Sequence, residues 1–288
     1  MGFIVSNNAI EQREKEFHFS DKEFNFISQL VGERTGIVLS AAKRQMVYGR
    51  LSRRLRQLKL TKFSDYCDLL TSGNEGELIE FTNAITTNLT AFFRENHHFE
   101  HLKDTVLPSL IKKNAATKRL RIWSAGCSSG EEPYSIAMCV REMLPKSSGW
   151  DVKILATDLD SNMVQRGKDG VYTAERVEGL SAERMKKWVK RGKGENSDKV
   201  RMSDDLREII TFKELNLMEG WPMKGPFDFM FCRNVVIYFN KDTQRILFDR
   251  YADLLTDDAH LYIGHSESLN KVTDRFDLLG KTIYQKVK

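Results

Sequence analysis

The chain has 288 residues, enough for two domains at roughly 150 residues each. Hydrophobic residues make up 41% and charged residues 30%, an ordinary globular balance that leaves either domain a core of its own. Lys and Arg number 45 against 40 Asp and Glu, and the net charge of +5 is too mild to imply a nucleic-acid partner unless it is concentrated somewhere. No apolar run approaches the roughly 20 residues of a membrane span, and no basic-then-apolar leader opens the chain. Cys67, Cys127, Cys139 and Cys232 form no CxxC pair or zinc-like spacing, so a reducing, cytoplasmic setting is expected.

Residues 1–17 read as a flexible polar leader. Met1-Gly2 with Ser6 fits the short N-myristoylation pattern, which is too common to carry an anchor by itself. Ser20 followed by Glu23 is a capping box, and Phe24, Ile27, Leu30 and Val31 then recur at helical spacing. After a turn at Gly36, a second helix is predicted from about Ala41 to Leu60, and Ser64 and Glu75 open two shorter ones. Residues 18–90 therefore form an all-α unit.

In the second helix, Lys43, Arg44, Arg50, Arg53, Arg54, Arg56, Lys59 and Lys62 all fall in a stretch without a single acid between Glu33 and Asp65. At about 100° per residue, Val47, Leu51, Leu55 and Leu58 share one side, Arg53 and Arg56 point away, and Arg50 and Arg54 flank them. Solvated faces usually mix signs, so this one is expected to dock an acidic partner, either a nucleic acid or a glutamate-rich protein surface.

From Leu120 the pattern changes to short β-rich runs: "LRIWSA", "VKILATD", "EIITFKEL", "FDFMFC" and "AHLYIGH". Helical stretches such as Pro133–Leu144 and Lys241–Leu255 separate them. Such alternation predicts a largely parallel sheet covered on both faces, an α/β domain over residues 91–288. A polar stretch at about 170–205, with Trp188 amid Lys186, Lys187, Lys190, Arg191 and Lys193, is too long for a plain connection and reads as an insertion.

The first strand runs into Gly126-Cys127-Ser128-Ser129-Gly130-Glu131-Glu132-Pro133. Glycines there let backbone approach a ligand at the carboxyl edge of the sheet. GxGxxG is absent, and two carboxylates stand where a pyrophosphate would need positive potential. The loop therefore suits a cationic, phosphate-free nucleoside, or else is a plain tight turn with acids on the helix dipole. Asp158 ends the second strand, where a carboxylate either accepts both ribose hydroxyls or caps the next helix. The fourth strand delivers Arg233, Asn234 and Tyr238 to the same edge. Cys232 beside them reads as a buried strand-end cysteine, although a nucleophile is the other use of that residue.

Together these motifs resemble one family, the CheR-type chemotaxis receptor glutamate methyltransferases, which use S-adenosylmethionine. The matching stretches are "ITTNLTAFFRENHHFEHL", "RIWSAGCSSGEEPYSIAM", "ILATDLDSNMVQRG", "FDFMFCRNVVIYF" and "YIGHSESL", in family order. The resemblance implies a Rossmann-like methyltransferase domain with a small β insertion behind an all-α domain. It implies that Asn88, Thr90 and Arg94 contact the cofactor, that Glu131 reaches its methionyl end, and that Asp158 holds the ribose. Asn216 and Leu217 would flank the adenine, and Asn234 and Val235 would line the floor near the sulfur. It further implies that the basic helix, with Arg50, Arg53, Arg54 and Arg56, meets the receptor, and that residues 170–205 grip a receptor C-terminal tail.

The chemistry expected is direct SN2 transfer of a methyl group to an ionised glutamate, giving a γ-methyl ester and S-adenosylhomocysteine. Arg94 and Tyr238 are the candidates for orienting the acceptor carboxylate. His97, His98 and His101 suggest a metal because 97 and 101 are i,i+4, but no third ligand of known spacing and no HExxH follows, so no metal is expected. His265-Ser266-Glu267 lacks a GxSxG elbow and reads as a loop after the fifth strand. The expected protein is a cytoplasmic monomer recruited to receptors at the inner membrane, without nucleic acid and without membrane insertion. Alternatives are an RNA or DNA methyltransferase, disfavoured by the absence of an Asn-Pro-Pro-Tyr-like box, and a non-catalytic scaffold for receptor tails.

Overall fold

A computed structural model describes residues 16–288. Met1, Gly2 and Ser6 of the myristoylation pattern, and most of the expected leader, lie outside the described residues. The chain forms two compact units. One holds residues 16–31 and 39–85; the other holds Gly32–Val38 and Thr86–Lys288, which departs from the single boundary expected near residue 90.

The first unit is helical. Helix α1 (Asp21–Thr35) starts at the expected capping box: Ser20 N–H donates to Glu23 Oε2 at 2.6 Å, and Glu23 N–H donates to Ser20 Oγ at 3.3 Å. A short turn at Ala41–Lys43 leads into α2 (Arg44–Leu58), followed by α3 (Phe63–Thr71) and α4 (Glu75–Ile85). Val47, Leu51 and Leu55 are fully buried, as their spacing predicts. Phe17, assigned to the leader by its polar surroundings, is instead buried edge-on against Phe63 with ring centroids 6.3 Å apart.

The arginines of α2 do not all face outward. Arg54 Nε donates to Glu77 Oε1 at 2.8 Å, and Tyr66 Oη donates to the same carboxylate at 2.8 Å. Glu77 is buried, so this pair is an internal tie between α2 and α4. Arg50 donates to the Ile85 carbonyl at the end of α4. Arg53 and Arg56 remain exposed, Arg56 with Glu16 at 2.7 Å. Of the four arginines expected to dock a partner, two are thus tied inside this unit, Arg54 by a carboxylate of α4 and Arg50 by a carbonyl at its end.

In the second unit, α5 (His97–His101) continues through a π-helical turn (Leu102–Val106) into α6 (Leu107–Lys113). Pro108 stands in the first turn of α6; it lacks the N–H for the preceding turn, which is the widened one. There follow β1 (Arg119–Ala125), α7 (Glu131–Met143), β2 (Asp151–Asp158), α8 (Ser161–Asp169), β3 (Val171–Thr173), α9 (Ala182–Trp188), β4 (Val189–Arg191), β5 (Lys199–Met202), α10 (Asp204–Arg207) and β6 (Ile210–Glu214). The chain ends with β7 (Phe227–Cys232), α11 (Lys241–Leu254), β8 (Leu255–Ile263), β9 (Phe276–Gly280) and β10 (Ile283–Lys286).

The main sheet has the order β6-β2-β1-β7-β8-β10-β9. The first five are parallel, and the hairpin β9–β10 closes the edge antiparallel. Alternate residues of β1 and β7 enter opposite cores: Ile122, Phe229 and Phe231 on one face, Trp123, Met230 and Cys232 on the other. The 170–205 insertion carries a separate antiparallel sheet, β3-β5-β4, with Trp188 buried beneath it. No helix among the described residues is long and apolar enough to cross a membrane.

Removing Arg54 strands Glu77 as a buried, unpaired carboxylate, so Arg54→Ala should cost about 3 kcal/mol in urea unfolding. Arg53→Ala, which leaves no buried group unpaired, should stay within about 0.5 kcal/mol.

Candidate active site

Because β6, β2, β1 and β7 are parallel, their carboxyl ends share one edge, and the connections leaving it run in opposite directions on either side of β1 and β7. That is the switch point at which ligands bind in open α/β sheets. The loop after β1 turns on Gly126, with φ of +72°, and a Cβ there would stand 2.2 Å from Val235 Cγ2. Only glycine lets the two loops meet. Ser128 and Asn234 also take positive φ, +48° and +59°. Two loops at the carboxyl edge are therefore held in conformations that ordinary residues avoid.

The carboxylates at this edge have distinct environments. Glu131, first residue of α7, is fully buried; its Oε2 accepts from Ser129 Oγ at 2.7 Å, while Oε1 has no well-aligned hydrogen bond. Glu132 turns the other way, taking Ser124 Oγ at 2.8 Å and Arg233 at 3.3 Å; burial raises its pKa against the pull of Arg233. Asp158 accepts the N–H groups of Ser128 at 2.7 Å and Asp160 at 2.9 Å. Burial outweighs those bonds and raises it to about 6. Asp160 next to it caps α8 through Asn162 and Met163 N–H, so the capping alternative for Asp158 belongs to its neighbour.

The segment before α5 lies over this edge. Asn88 Nδ2 donates to Asp160 Oδ2 at 2.7 Å, and the Asn88 carbonyl accepts from Ser128 Oγ at 3.2 Å. Phe93 N–H donates to Ser135 Oγ at 3.0 Å. Arg94 folds back on its own loop, Nη1 to the Leu89 carbonyl at 2.8 Å. Thr90 offers its carbonyl to Arg176 of the insertion at 3.0 Å. After β6, Asn216 spends its amide on the Arg34 carbonyl at 2.7 Å and caps the Met218 turn, while Leu217 is buried. Tyr238 closes a short turn after Asn234 and Val235, and its carbonyl accepts from Val38 N–H at 2.9 Å.

Two residues hold this edge together in roles that the motifs did not assign to them. Arg233 is buried with Glu95 and Glu132 each 3.3 Å away, and it donates to the Arg94 carbonyl. Burial raises the Glu95 carboxyl, but the His265 bond and the Arg233 charge outweigh it and bring it down to about 2. Glu267, in the loop after β8, is buried and accepts N–H from Gly264, Asn234 and Ile237 at 2.6, 2.9 and 3.2 Å. It fixes the Asn234–Tyr238 loop by its backbone. The signal was a buried-type carboxylate close behind a strand end, which a local reading takes as solvated.

Glu95, His97 and His98 bring possible ligand atoms within 4.8 Å of one another. Burial and the Arg233 charge lower His98 to about 3, and its Nε2 meets the Lys281 carbonyl at 3.0 Å. With a guanidinium already against Glu95, the cluster reads as a polar network that seats α5 rather than as a cation site. Cys232 is fully buried at 3.4 Å from Tyr251 Oη, and burial pushes its thiol up, so it is no nucleophile.

The edge offers acceptors and no phosphate cradle, which suits a positively charged nucleoside. Residues 88–285 match the CheR methyltransferase SAM binding domain, and residues 22–86 match the CheR methyltransferase all-alpha domain. The chain belongs to the CheR methyltransferase family. It is 44% identical over 252 residues to a probable chemotaxis protein methyltransferase of Rhizobium etli, covering 87% of this chain and 94% of that one. It is 42% identical over 276 residues to the chemotaxis protein methyltransferase of Escherichia coli, covering 95% and 93%. It is 42% identical over 271 residues to chemotaxis protein methyltransferase 2 of Pseudomonas aeruginosa, covering 94% and 95%.

Gly126→Ala combines an unfavourable positive φ with a clash against Val235, and should destabilise the protein by about 2–4 kcal/mol in urea unfolding. Gly73→Ala, at positive φ but in open space, should cost only about 1–2 kcal/mol.

Proposed function

We propose that this protein methylates glutamate side chains of chemotaxis receptors, forming γ-methyl esters. The observation that supports the reading is the burial of two carboxylates, Glu131 and Asp158, at the switch-point edge. Glu131 Oε1 has no well-aligned hydrogen bond, and Asp158 is held by backbone N–H groups alone.

Bound S-adenosylmethionine supplies a methyl group on a sulfonium and leaves as S-adenosylhomocysteine. Glu131 accepts the methionyl ammonium and Asp158 accepts the ribose hydroxyls. Asn216 and Leu217 flank the adenine. Asn88, Thr90 and Arg94 cover the cofactor from the loop before α5, and Asn234 and Val235 form the floor near the sulfur. Arg94 and Tyr238 orient the acceptor carboxylate. A free glutamate with pKa near 4.3 is ionised by about 500 to 1 at pH 7, so no protein base has to remove a proton. Proximity and orientation can contribute on the order of 7–11 kcal/mol when the reacting atoms are held about 3–3.5 Å apart.

Receptor docking is assigned to the exposed Arg53 and Arg56 of α2, facing a glutamate-rich surface. Residues 170–205 take a receptor C-terminal tail, and the protein works in the cytoplasm as a monomer recruited to membrane-bound receptors. A nucleic-acid substrate is disfavoured because two of the four arginines of the basic helix are held internally by Glu77 and Ile85.

Incubation with methyl-labelled cofactor and receptor-containing membranes should label the receptor and release volatile methanol in base. Base-stable label on added RNA would overturn the reading. In the same assay, Arg53→Glu with Arg56→Glu should slow receptor labelling at least about tenfold, by like-charge repulsion at the docking face, with S-adenosylhomocysteine affinity unchanged. Affinity also carries a pH signature. Ribose hydroxyls donate to ionised Asp158, so binding is full above its value of about 6 and weakens as protons compete below it. S-adenosylhomocysteine affinity, measured by calorimetry, should fall by up to about tenfold per pH unit below that point. Asp158→Asn should bind weakly and lose the dependence.

A further inference from the structure

The insertion reaches back over the loop before α5 at three places. Tyr172 on β3 sets its ring edge-on to Phe92, centroids 5.2 Å apart, and donates its hydroxyl to the Ser129 carbonyl at 2.7 Å. Arg184 on α9 lies 4.0 Å from the centroid of Phe93 while it pairs with Glu142 at 2.8 Å. Arg176, in the tight turn Ala174–Val177, makes the third contact. Its Nη1 donates to the Thr90 carbonyl at 3.0 Å, and its Nη2 stands 3.4 Å from Glu131 Oε1.

The state of that last pair is informative. Glu131 is fully buried and its Oε1 has no well-aligned hydrogen bond, whereas the Arg176 side chain is still 44% exposed. A guanidinium fixed by one bond, with donors to spare, therefore faces a buried carboxylate with an acceptor to spare. Two opposite charges at that separation match the two ends of an α-amino acid: ammonium on the carboxylate, carboxylate on the guanidinium. A lysine would supply charge there without the planar fork that lets one side chain hold the Thr90 carbonyl and a carboxylate together.

We propose that Arg176 is a further binding residue of the cofactor site, its guanidinium taking the methionyl carboxylate while Glu131 takes the α-ammonium. This rests on the assignment of Glu131 made above. On binding, the two side chains exchange each other for the two charges of the amino-acid end, so no new unpaired charge is buried. Because Arg176 belongs to the insertion, whatever steadies the insertion favours cofactor binding, and cofactor binding steadies the insertion by the same factor.

The test is calorimetry on the full chain with two ligands. S-adenosylhomocysteine carries the amino-acid end; 5′-methylthioadenosine keeps adenine, ribose and thioether but lacks it. Arg176→Met should weaken S-adenosylhomocysteine binding about tenfold or more, the loss of one charge-assisted contact, with methylthioadenosine affinity unchanged. Arg176→Lys should recover part of the loss. An unaltered S-adenosylhomocysteine affinity in the Met variant would overturn the proposal, and so would an equal loss for both ligands, which would make Arg176 a support of the fold. If the unsubstituted protein binds methylthioadenosine and S-adenosylhomocysteine equally well, the assignment of Glu131 falls and this proposal with it.

Discussion

The active edge is organised around one buried cation. Arg233 follows β7 directly, is 6% exposed, and lies between Glu95 and Glu132 at 3.3 Å each. A lone guanidinium there would carry a large desolvation penalty, and two carboxylates offset it only if all three groups keep their places. Glu95 belongs to the loop before α5, Glu132 to the first turn of α7, and Arg233 also donates to the Arg94 carbonyl. One charge cluster therefore fixes three chain segments that come from distant parts of the sequence. Glu267 ties the Asn234–Tyr238 loop to the end of β8 through the N–H groups of Asn234, Ile237 and Gly264.

This arrangement also restricts the chemistry. His98 is not poised for proton transfer, because burial and the Arg233 charge drive it down to about 3. The buried thiols of Cys127, Cys139 and Cys232 are pushed up by desolvation. The acceptors at the switch point are Glu131, at the start of α7, and Asp158, at the end of β2, beside loops that glycine and positive-φ residues make possible. Such an edge is built of groups that accept hydrogen bonds and hold their positions. It suits a reaction whose nucleophile is already ionised and whose leaving group is already activated.

Much of this could be read from the sequence, since its signals are local. The capping box at Ser20 and Glu23, the five parallel strands, and the turn from Gly126 into Glu131 each depend on residues within a few positions of one another. Pairings over long separations were hidden. The acid-free stretch around α2 looked like a continuous basic face, yet Glu77 lies 23 residues from Arg54 and neutralises it. Arg233 and Glu132 are 101 residues apart, and Asn216 meets the Arg34 carbonyl across 182. The helix from His97 to Lys113 was masked by Pro108, which interrupts its pattern where the π-helical turn absorbs it. The hairpin β9–β10 was masked by Leu278 and Leu279, exposed on an edge where alternation is weak.

If alignment alone drives transfer, the rate of the chemical step should not follow the titration of any protein group near neutrality. The direct measurement is the single-turnover rate of receptor methylation at saturating cofactor, followed from pH 6.5 to pH 9. A flat profile is expected, because a glutamate acceptor is ionised throughout that range. A limb rising about tenfold per pH unit would show that a protein base must lose a proton first, and would contradict a site that only binds and orients.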